Sequence, residues 1–80
     1  MQSEEIFKGL QALFGEVFRV SEEEVTPDLQ FGELPSWDSM GHMDLMVALE
    51  TQYGIEISAE TISQLISIPA IVEHIQAKNG

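Results

Sequence analysis

The 80-residue chain has no cysteine and only two histidines, His42 and His74. Without cysteine it has no disulfide scaffold and no thiol chemistry of its own, and the ligands of a structural zinc site are missing. The consecutive acids at residues 22–24 lack the alternating pattern of an EF-hand calcium loop. We therefore expect no dedicated metal site.

Basic residues are scarce: Lys and Arg number 3 against 14 Asp and Glu, so the net charge is -11. Residues 20–77 contain no Lys or Arg. Proteins bind a nucleic acid backbone or an anionic membrane surface through cationic side chains. We therefore expect neither of these partners, and we expect positively charged protein surfaces instead.

Long hydrophobic runs are also missing, and the first ten residues lack the basic and apolar regions of a signal peptide. The sequence therefore favours a cytoplasmic protein without a membrane partner. Hydrophobic residues make up 44% of the chain, which is enough for a folded core. At this length we expect a single domain over residues 1–80, and a monomer.

Apolar residues three and four apart predict a first helix from about Glu4 to about Phe18, with Ser3 as its N-cap. Its buried face comprises Ile6, Phe7, Leu10, Leu13, Phe14, Val17 and Phe18. A segment rich in turn residues follows, up to Trp37. Ser21 and Glu24 have capping-box spacing and predict one short helical turn there. The apolar residues Val25, Leu29, Phe31 and Leu34 are expected to attach this long loop to the core.

Asp38 predicts the N-cap of a second helix, which continues to about Tyr53 and stops at Gly54. Ser58 caps a short helical segment that has Ile62, Leu65 and Ile66 on one side. Pro69 suits the first turn of a final helix carrying Ile71, Val72 and Ile75 and ending at Lys78 to Gly80. The predicted fold is all-α, with three main helices, one short helix and a long first loop.

The second helix has two apolar faces at about 100° per residue. The core face comprises His42, Leu45, Met46, Leu49 and Tyr53. Met40, Met43 and Val47 lie on the opposite side, interleaved with acidic residues. These three side chains either bind a partner or pack under the long loop, and helical spacing does not decide between the two.

Ser39 occupies the first helical position, where backbone N–H groups and the helix dipole favour an attached phosphate. An ordinary capping or exposed serine is the alternative. Esterase activity is disfavoured because Trp37 stands where a nucleophile elbow requires glycine, and because no strand precedes it. His42 is placed on the core face, as a packed histidine rather than a base. We therefore expect a protein that is not an enzyme.

The run Trp37-Asp38-Ser39-Met40-Gly41-His42, with the helix that follows it, resembles the attachment-site helix of the acyl carrier protein family. The likeness extends through the Tyr53 to Ile57 segment and the last two helical segments. It implies a four-helix bundle in which a phosphopantetheinyl transferase moves 4'-phosphopantetheine from coenzyme A onto Ser39. The thiol of that arm carries acyl or aminoacyl groups as thioesters, so the protein itself needs no cysteine.

The resemblance also implies partner enzymes that load and process the cargo and that dock through basic patches. The expected docking residues are Asp38, Met40, Met43, Asp44, Val47 and Glu50. Ile57 and Ile62 are expected near the arm or its cargo.

Two positions depart from fatty-acid carriers, which commonly have acids where this chain has Gly41 and Thr51. Trp37 and the Gly41-His42 pair resemble carriers of specialised polyketide or non-ribosomal peptide pathways more closely. The alternative hypothesis for the whole chain is a small acidic helical interaction module that is never modified.

Overall fold

The computed structural model describes residues 3–79, and the side chains of residues 3–78. This part of the chain forms four α-helices: α1 (Ser3–Phe18), α2 (Ser39–Tyr53), α3 (Ala59–Gln64) and α4 (Ile68–Asn79). One 3₁₀ turn, Glu22–Glu24, lies in the loop between α1 and α2. The fold is all-α, as predicted. Within residues 3–79, every helix is too short or too polar to cross a membrane.

α1 buries the predicted face: Ile6, Leu10, Leu13, Phe14 and Phe18 are all in the core. Phe7 and Val17 pack against its edge. The helix begins at Ser3, so the prediction that Ser3 precedes the helix as its N-cap is wrong; it is the first helical residue. Arg19 ends the helix in the left-handed region, at φ 57°.

Loop 1, residues 19–38, is attached to the core at three of the four predicted positions. Val25, Leu29 and Leu34 are buried, but Phe31 is 40% exposed, so its prediction as a core residue is wrong. The fully buried Trp37 occupies the core beneath it, and the Phe31 ring packs edge-on against the indole with centroids 6.2 Å apart. Phe31 therefore covers the core from outside and keeps part of its ring in solvent.

Side-chain caps mark the predicted helix starts, and a left-handed glycine marks the predicted end of α2. Asp38 Oδ1 accepts the Gly41 N–H at 2.9 Å at the start of α2, and Gly54 ends α2 at φ 70°. Ser58 Oγ accepts the Thr61 N–H at 3.2 Å at the start of α3. In loop 1 the Glu24 carboxylate accepts the Ser21 N–H at 2.9 Å, as its capping-box spacing predicted.

α3 is shorter than the predicted segment, because it ends at Gln64. Leu65 is buried, whereas Ile66 is 46% exposed, so the prediction that these two residues lie on one side is wrong. The chain has already left the helix at that point, and helical periodicity no longer determines which way Ile66 faces. α4 has Pro69 in its first turn, as predicted.

α1 and α2 approach closely where Gly9 faces Tyr53. A Cβ atom at Gly9 would lie 2.5 Å from the Tyr53 hydroxyl oxygen, so a larger residue there would have to displace the end of the Tyr53 side chain. Tyr53 is half-buried rather than fully in the core. Burial raises the pKa of its phenol above the usual 10.0, opposed in part by a hydrogen bond with the Gln52 side chain.

Candidate functional site

Ser39 is exposed and is the first residue of α2. The Asp38 carboxylate accepts a hydrogen bond from the Gly41 N–H, and the Asp38 carbonyl accepts one from the His42 N–H at 2.7 Å. The N–H groups of a helix's first residues have no partner within the helix and lie at its positive end. A phosphate ester on Ser39 would therefore meet a favourable field, and exposure leaves the hydroxyl open to a modifying enzyme.

Gly41 allows loop 1 to pass directly against the start of α2. A Cβ atom there would overlap the Ser36 carbonyl oxygen and would lie 3.0 Å from a Phe18 ring carbon. Ser36 Oγ also donates to the Phe18 carbonyl at 3.3 Å, which joins the loop to the end of α1. Sequence reasoning identified Gly41 only as a departure from fatty-acid carriers, and the structure gives the steric reason for it.

His42 links loop 1, α2 and α3 through both of its ring nitrogens. Its Nδ1 accepts the indole N–H of Trp37 at 3.0 Å, and its Nε2 lies 2.7 Å from the Ile62 carbonyl oxygen. An indole can only donate and a carbonyl can only accept, so the ring is the neutral form with its proton on Nε2. Ile62 lies in the last turn of α3, where carbonyls lack a partner within the helix, and His42 supplies one.

This arrangement excludes His42 as a base for Ser39, because both ring nitrogens already have partners and the ring is only 5% exposed. The prediction of a packed histidine on the core face is confirmed. Ser39 is therefore an exposed hydroxyl that His42 does not activate.

Trp37 is the centre of an aromatic cluster that sequence reasoning missed. Its ring lies 5.0 Å from Phe14 and 6.0 Å from Phe18, measured between centroids, and it stacks on His42 at 6.2 Å. The signal that could have identified it is its type, since tryptophan is highly buried on average and this is the one tryptophan in the sequence. Trp37 fixes the residues that immediately precede Ser39.

The second apolar face of α2 is exposed. Met40 is 81% exposed, Met43 42% and Val47 52%, so the alternative that they pack under loop 1 is wrong. Asp38 caps the helix beside them, and Asp44 and Glu50 are exposed on the same side. Together with Ser39, these α2 residues fall within about 140° of the helix circumference at 100° per residue. We call Met40, Met43, Asp44, Val47 and Glu50 the α2 ridge.

Ile57 and Ile62, expected near the arm or cargo, are both half-buried and pack against the core. The His42 hydrogen bond brings the Ile62 backbone to the first turns of α2. The role of both residues toward an attached group stays a prediction.

Comparison with known proteins shows which family the chain belongs to. Residues 8–75 match the family model described as "Phosphopantetheine attachment site". The chain belongs to this family. It is also similar to proteins named "Acyl carrier protein": one from Helicobacter pylori strain G27 is 30% identical over 89% of this chain and 91% of the relative. Another, from Thermosynechococcus vestitus, is 30% identical over 98% and 96%.

Membership in this carrier family determines the general role of the chain. Such proteins bear 4'-phosphopantetheine and are carriers, not catalysts. Phosphopantetheinyl transferases and biosynthetic enzymes are the partners of acyl carrier proteins. The family also explains how a chain without cysteine takes part in thioester chemistry, because the thiol belongs to the attached group.

Proposed function

We propose that Ser39 is the attachment residue and that the chain carries acyl or aminoacyl intermediates between biosynthetic enzymes. The observation that carries this proposal is the exposed Ser39 at the first position of α2, next to an exposed ridge that is both apolar and acidic. In the transfer, the Ser39 oxygen forms a new phosphodiester bond, its proton leaves to the transferase, and the nucleotide half of coenzyme A departs. The attached thiol then holds cargo as a thioester.

Mass spectrometry of the intact protein tests this attachment. After incubation with coenzyme A and a broad-specificity phosphopantetheinyl transferase, we expect a gain of one phosphopantetheine. Ser39→Ala should abolish the gain without loss of helicity, and Ser63→Ala, at an exposed serine on α3, should leave it unchanged. Failure of several such transferases to modify the wild type would contradict the proposal and favour the unmodified interaction module.

We further propose that Asp38 and the α2 ridge dock the transferase and the loading and processing enzymes. Exposed methionines adapt to several partners. Flanking carboxylates steer basic patches toward them. Asp44→Lys combined with Glu50→Lys should weaken transferase binding while leaving the fold intact. Glu16→Lys with Glu73→Lys is the matched control, because it changes the net charge equally on α1 and α4.

The salt dependence of binding tests whether the carboxylates of the α2 ridge attract the partner enzymes. Wild-type affinity should fall as salt rises, because exposed charges are screened beyond about 8–10 Å at physiological ionic strength. The variant altered on α2 should show a flatter salt dependence than the control. Salt-independent binding by the wild type would contradict charge steering.

For the pathway, we propose a specialised polyketide or non-ribosomal peptide system rather than housekeeping fatty-acid synthesis. The support is Gly41, where the contact with Ser36 leaves no room for the acid common in fatty-acid carriers. Adjacent genes for adenylation, ketosynthase or ligase enzymes would identify the pathway. A single domain over residues 1–80, a monomeric state and a cytoplasmic location stay predictions.

A further inference from the structure

The Ser39 hydroxyl has no hydrogen bond to any described residue, so its position depends on the backbone that carries it. Trp37 precedes Ser39 by two residues, and His42 follows it by three. The hydrogen bond from the Trp37 indole N–H to His42 Nδ1 therefore spans Ser39. Trp37 is fully buried and His42 nearly so. Ser39 thus lies on an exposed turn whose two ends are joined inside the protein.

Loop 1 holds Trp37 by its backbone as well as by its ring. The Trp37 N–H donates to the Leu34 carbonyl at 3.0 Å, and the Trp37 carbonyl accepts a hydrogen bond from the Gly32 N–H at 3.2 Å. The indole packs edge-on against the Phe14 ring, with centroids 5.0 Å apart. Main chain and ring are both held, so Trp37 cannot turn without breaking these contacts. It is a rigid anchor two positions before Ser39.

α3 holds His42 from the other side. His42 Nε2 donates to the Ile62 carbonyl at 2.7 Å, while Nδ1 accepts the indole N–H. Each ring nitrogen has one partner of the matching kind, so a flipped or rotated imidazole would leave buried polar groups unpaired. Unpaired buried groups cost free energy, which favours this one orientation. The first turn of α2, which carries Ser39, is therefore placed relative to loop 1 and to α3.

Packing alone does not require this polar link. Two apolar side chains would fill the same space, and replacing both partners of a buried hydrogen bond by apolar groups is often nearly neutral for stability. A fully satisfied buried polar network instead selects one arrangement of a core among several. The property that the link adds here is a defined geometry of the turn that carries Ser39.

We propose that Trp37 and His42 are positioning residues for the transfer of phosphopantetheine to Ser39. This inference rests on the proposed attachment at Ser39. In that transfer the Ser39 oxygen bonds to phosphorus, its proton passes to the transferase and the nucleotide half of coenzyme A leaves. The attack requires alignment of the hydroxyl with phosphorus, and a misplacement of about 1 Å can cost about a hundredfold in rate. The buried link limits such misplacement through the backbone of the turn.

Single-turnover kinetics test the positioning role. With coenzyme A and an excess of a broad-specificity phosphopantetheinyl transferase, the rate constant at saturation reports the transfer step, and the half-saturating transferase concentration reports docking. His42→Leu removes both hydrogen bonds of the ring and leaves the exposed α2 ridge unchanged. We expect its saturating rate to fall about tenfold, with the half-saturating concentration within about twofold of the wild type. Trp37→Phe removes the indole bond and should lower the saturating rate in the same way.

Two further variants separate positioning from stability. His42→Gln keeps a donor for the Ile62 carbonyl and an acceptor for the indole, and glutamine and leucine have similar helix propensities. Its saturating rate should return to within about threefold of the wild type. Ile71→Ala removes a fully buried side chain from α4, which packs mainly against α1, and is the control for reduced stability. It should leave the saturating rate unchanged at a temperature where melting curves show every variant folded.

Several outcomes would overturn the inference. A saturating rate in His42→Leu equal to that of the wild type would do so, and so would a change confined to the half-saturating concentration, which would assign the link to docking. Equal loss of rate in Ile71→Ala, or no recovery in His42→Gln, would reduce the link to general stability. If His42→Leu does not fold, Trp37→Phe is judged by the same criteria. Lack of any mass gain on wild-type Ser39 would remove attachment and inference together, whereas a modified wild type with unchanged variant rates refutes only the inference.

Discussion

The indole N–H of Trp37 donates to Nδ1 of His42 at 3.0 Å, and this bond connects the residue before the Asp38 cap to the helix that follows it. Through its other nitrogen, His42 reaches the Ile62 carbonyl in α3. The turn that presents Ser39 is therefore fixed from both sides. Its geometry depends on a buried polar link as well as on apolar packing.

Breaking this link from either side should lower the stability of the fold. Trp37→Phe leaves Nδ1 of His42 without its donor, and His42→Leu leaves both the indole and the Ile62 carbonyl without partners. Each change should cost about 2–4 kcal/mol of unfolding free energy, from the unpaired polar group and the altered packing. Chemical denaturation measures these costs, with the exposed Met40→Ala as a control near zero.

The double variant, Trp37→Phe with His42→Leu, distinguishes the contribution of the hydrogen bond from that of packing. Once both partners are apolar, the unpaired indole and the unpaired Nδ1 no longer exist. We therefore expect the two costs to be non-additive by about 1 kcal/mol or more. Strict additivity would mean that the Trp37–His42 bond contributes nothing of its own.

Gly41 should not tolerate a side chain. Alanine is favoured over glycine by about 1 kcal/mol in a helix interior, so propensity alone predicts a stabilising substitution. A Cβ atom at this position would overlap the backbone carbonyl of Ser36, so we expect the substitution to lower the stability instead of raising it. We expect Gly41→Ala to destabilise the protein by about 1–3 kcal/mol, and Gly41→Asp by at least as much. An unchanged or higher melting temperature would show that loop 1 can move away at little cost.

Periodicity and turn chemistry were sufficient to predict the helices. The Asp38 and Gly54 boundaries depend on local capping, which the sequence displays directly. Apart from the Ser3 cap, which misplaced the start of α1 by one residue, the errors occur where tertiary contacts decide. Phe31 is displaced outward because Trp37 fills the core beneath it, and Ile66 faces solvent because its backbone pairs with loop 1. No local pattern encodes either contact.

The candidate site also has some features that the sequence predicts and others that depend on tertiary packing. The exposed face of α2 follows from counting residues at 100° per step, so the α2 ridge could be predicted. The hydrogen bonds of His42 could not, because they join residues that are 5 and 20 positions apart and depend on how α3 packs.

Asp38 has two roles that substitution can separate. Its carboxylate caps α2, and its charge belongs to the proposed docking surface. Asp38→Asn keeps a capping oxygen and should change stability little, whereas Asp38→Ala should cost about 1 kcal/mol. Both remove the charge, so both should slow phosphopantetheine transfer similarly. A transfer rate that follows the stability of the variants, rather than their charge, would contradict a docking role.

The net charge of -11 should make stability depend on salt. Repulsion among carboxylates opposes the compact state, and added sodium chloride screens it. We expect a gain of about 1 kcal/mol between low and moderate salt, or roughly 4–8 °C in melting temperature for a domain of this size. Glu16→Lys with Glu73→Lys should show a smaller rise. Equal increases in melting temperature for the wild type and this variant would mean that repulsion among the carboxylates does not affect stability.

Tyr53 should make the protein sensitive to alkali. Burial raises the pKa of its phenol in the folded state above the unfolded value of 10.0. The folded protein therefore holds this proton more tightly than the unfolded chain does. The resulting stabilisation is fully present below pH 10 and is lost as the pH rises through the folded pKa.

Tyr53→Phe removes this titrating group while keeping the ring between α1 and α2. The wild type should lose unfolding free energy as the pH rises above 10, and the variant should lose less over the same interval. Denaturation at fixed ionic strength measures the difference, because the changing net charge would otherwise add its own salt-dependent term. Parallel curves for the two proteins would show that the phenol ionises with equal ease in the folded and unfolded states.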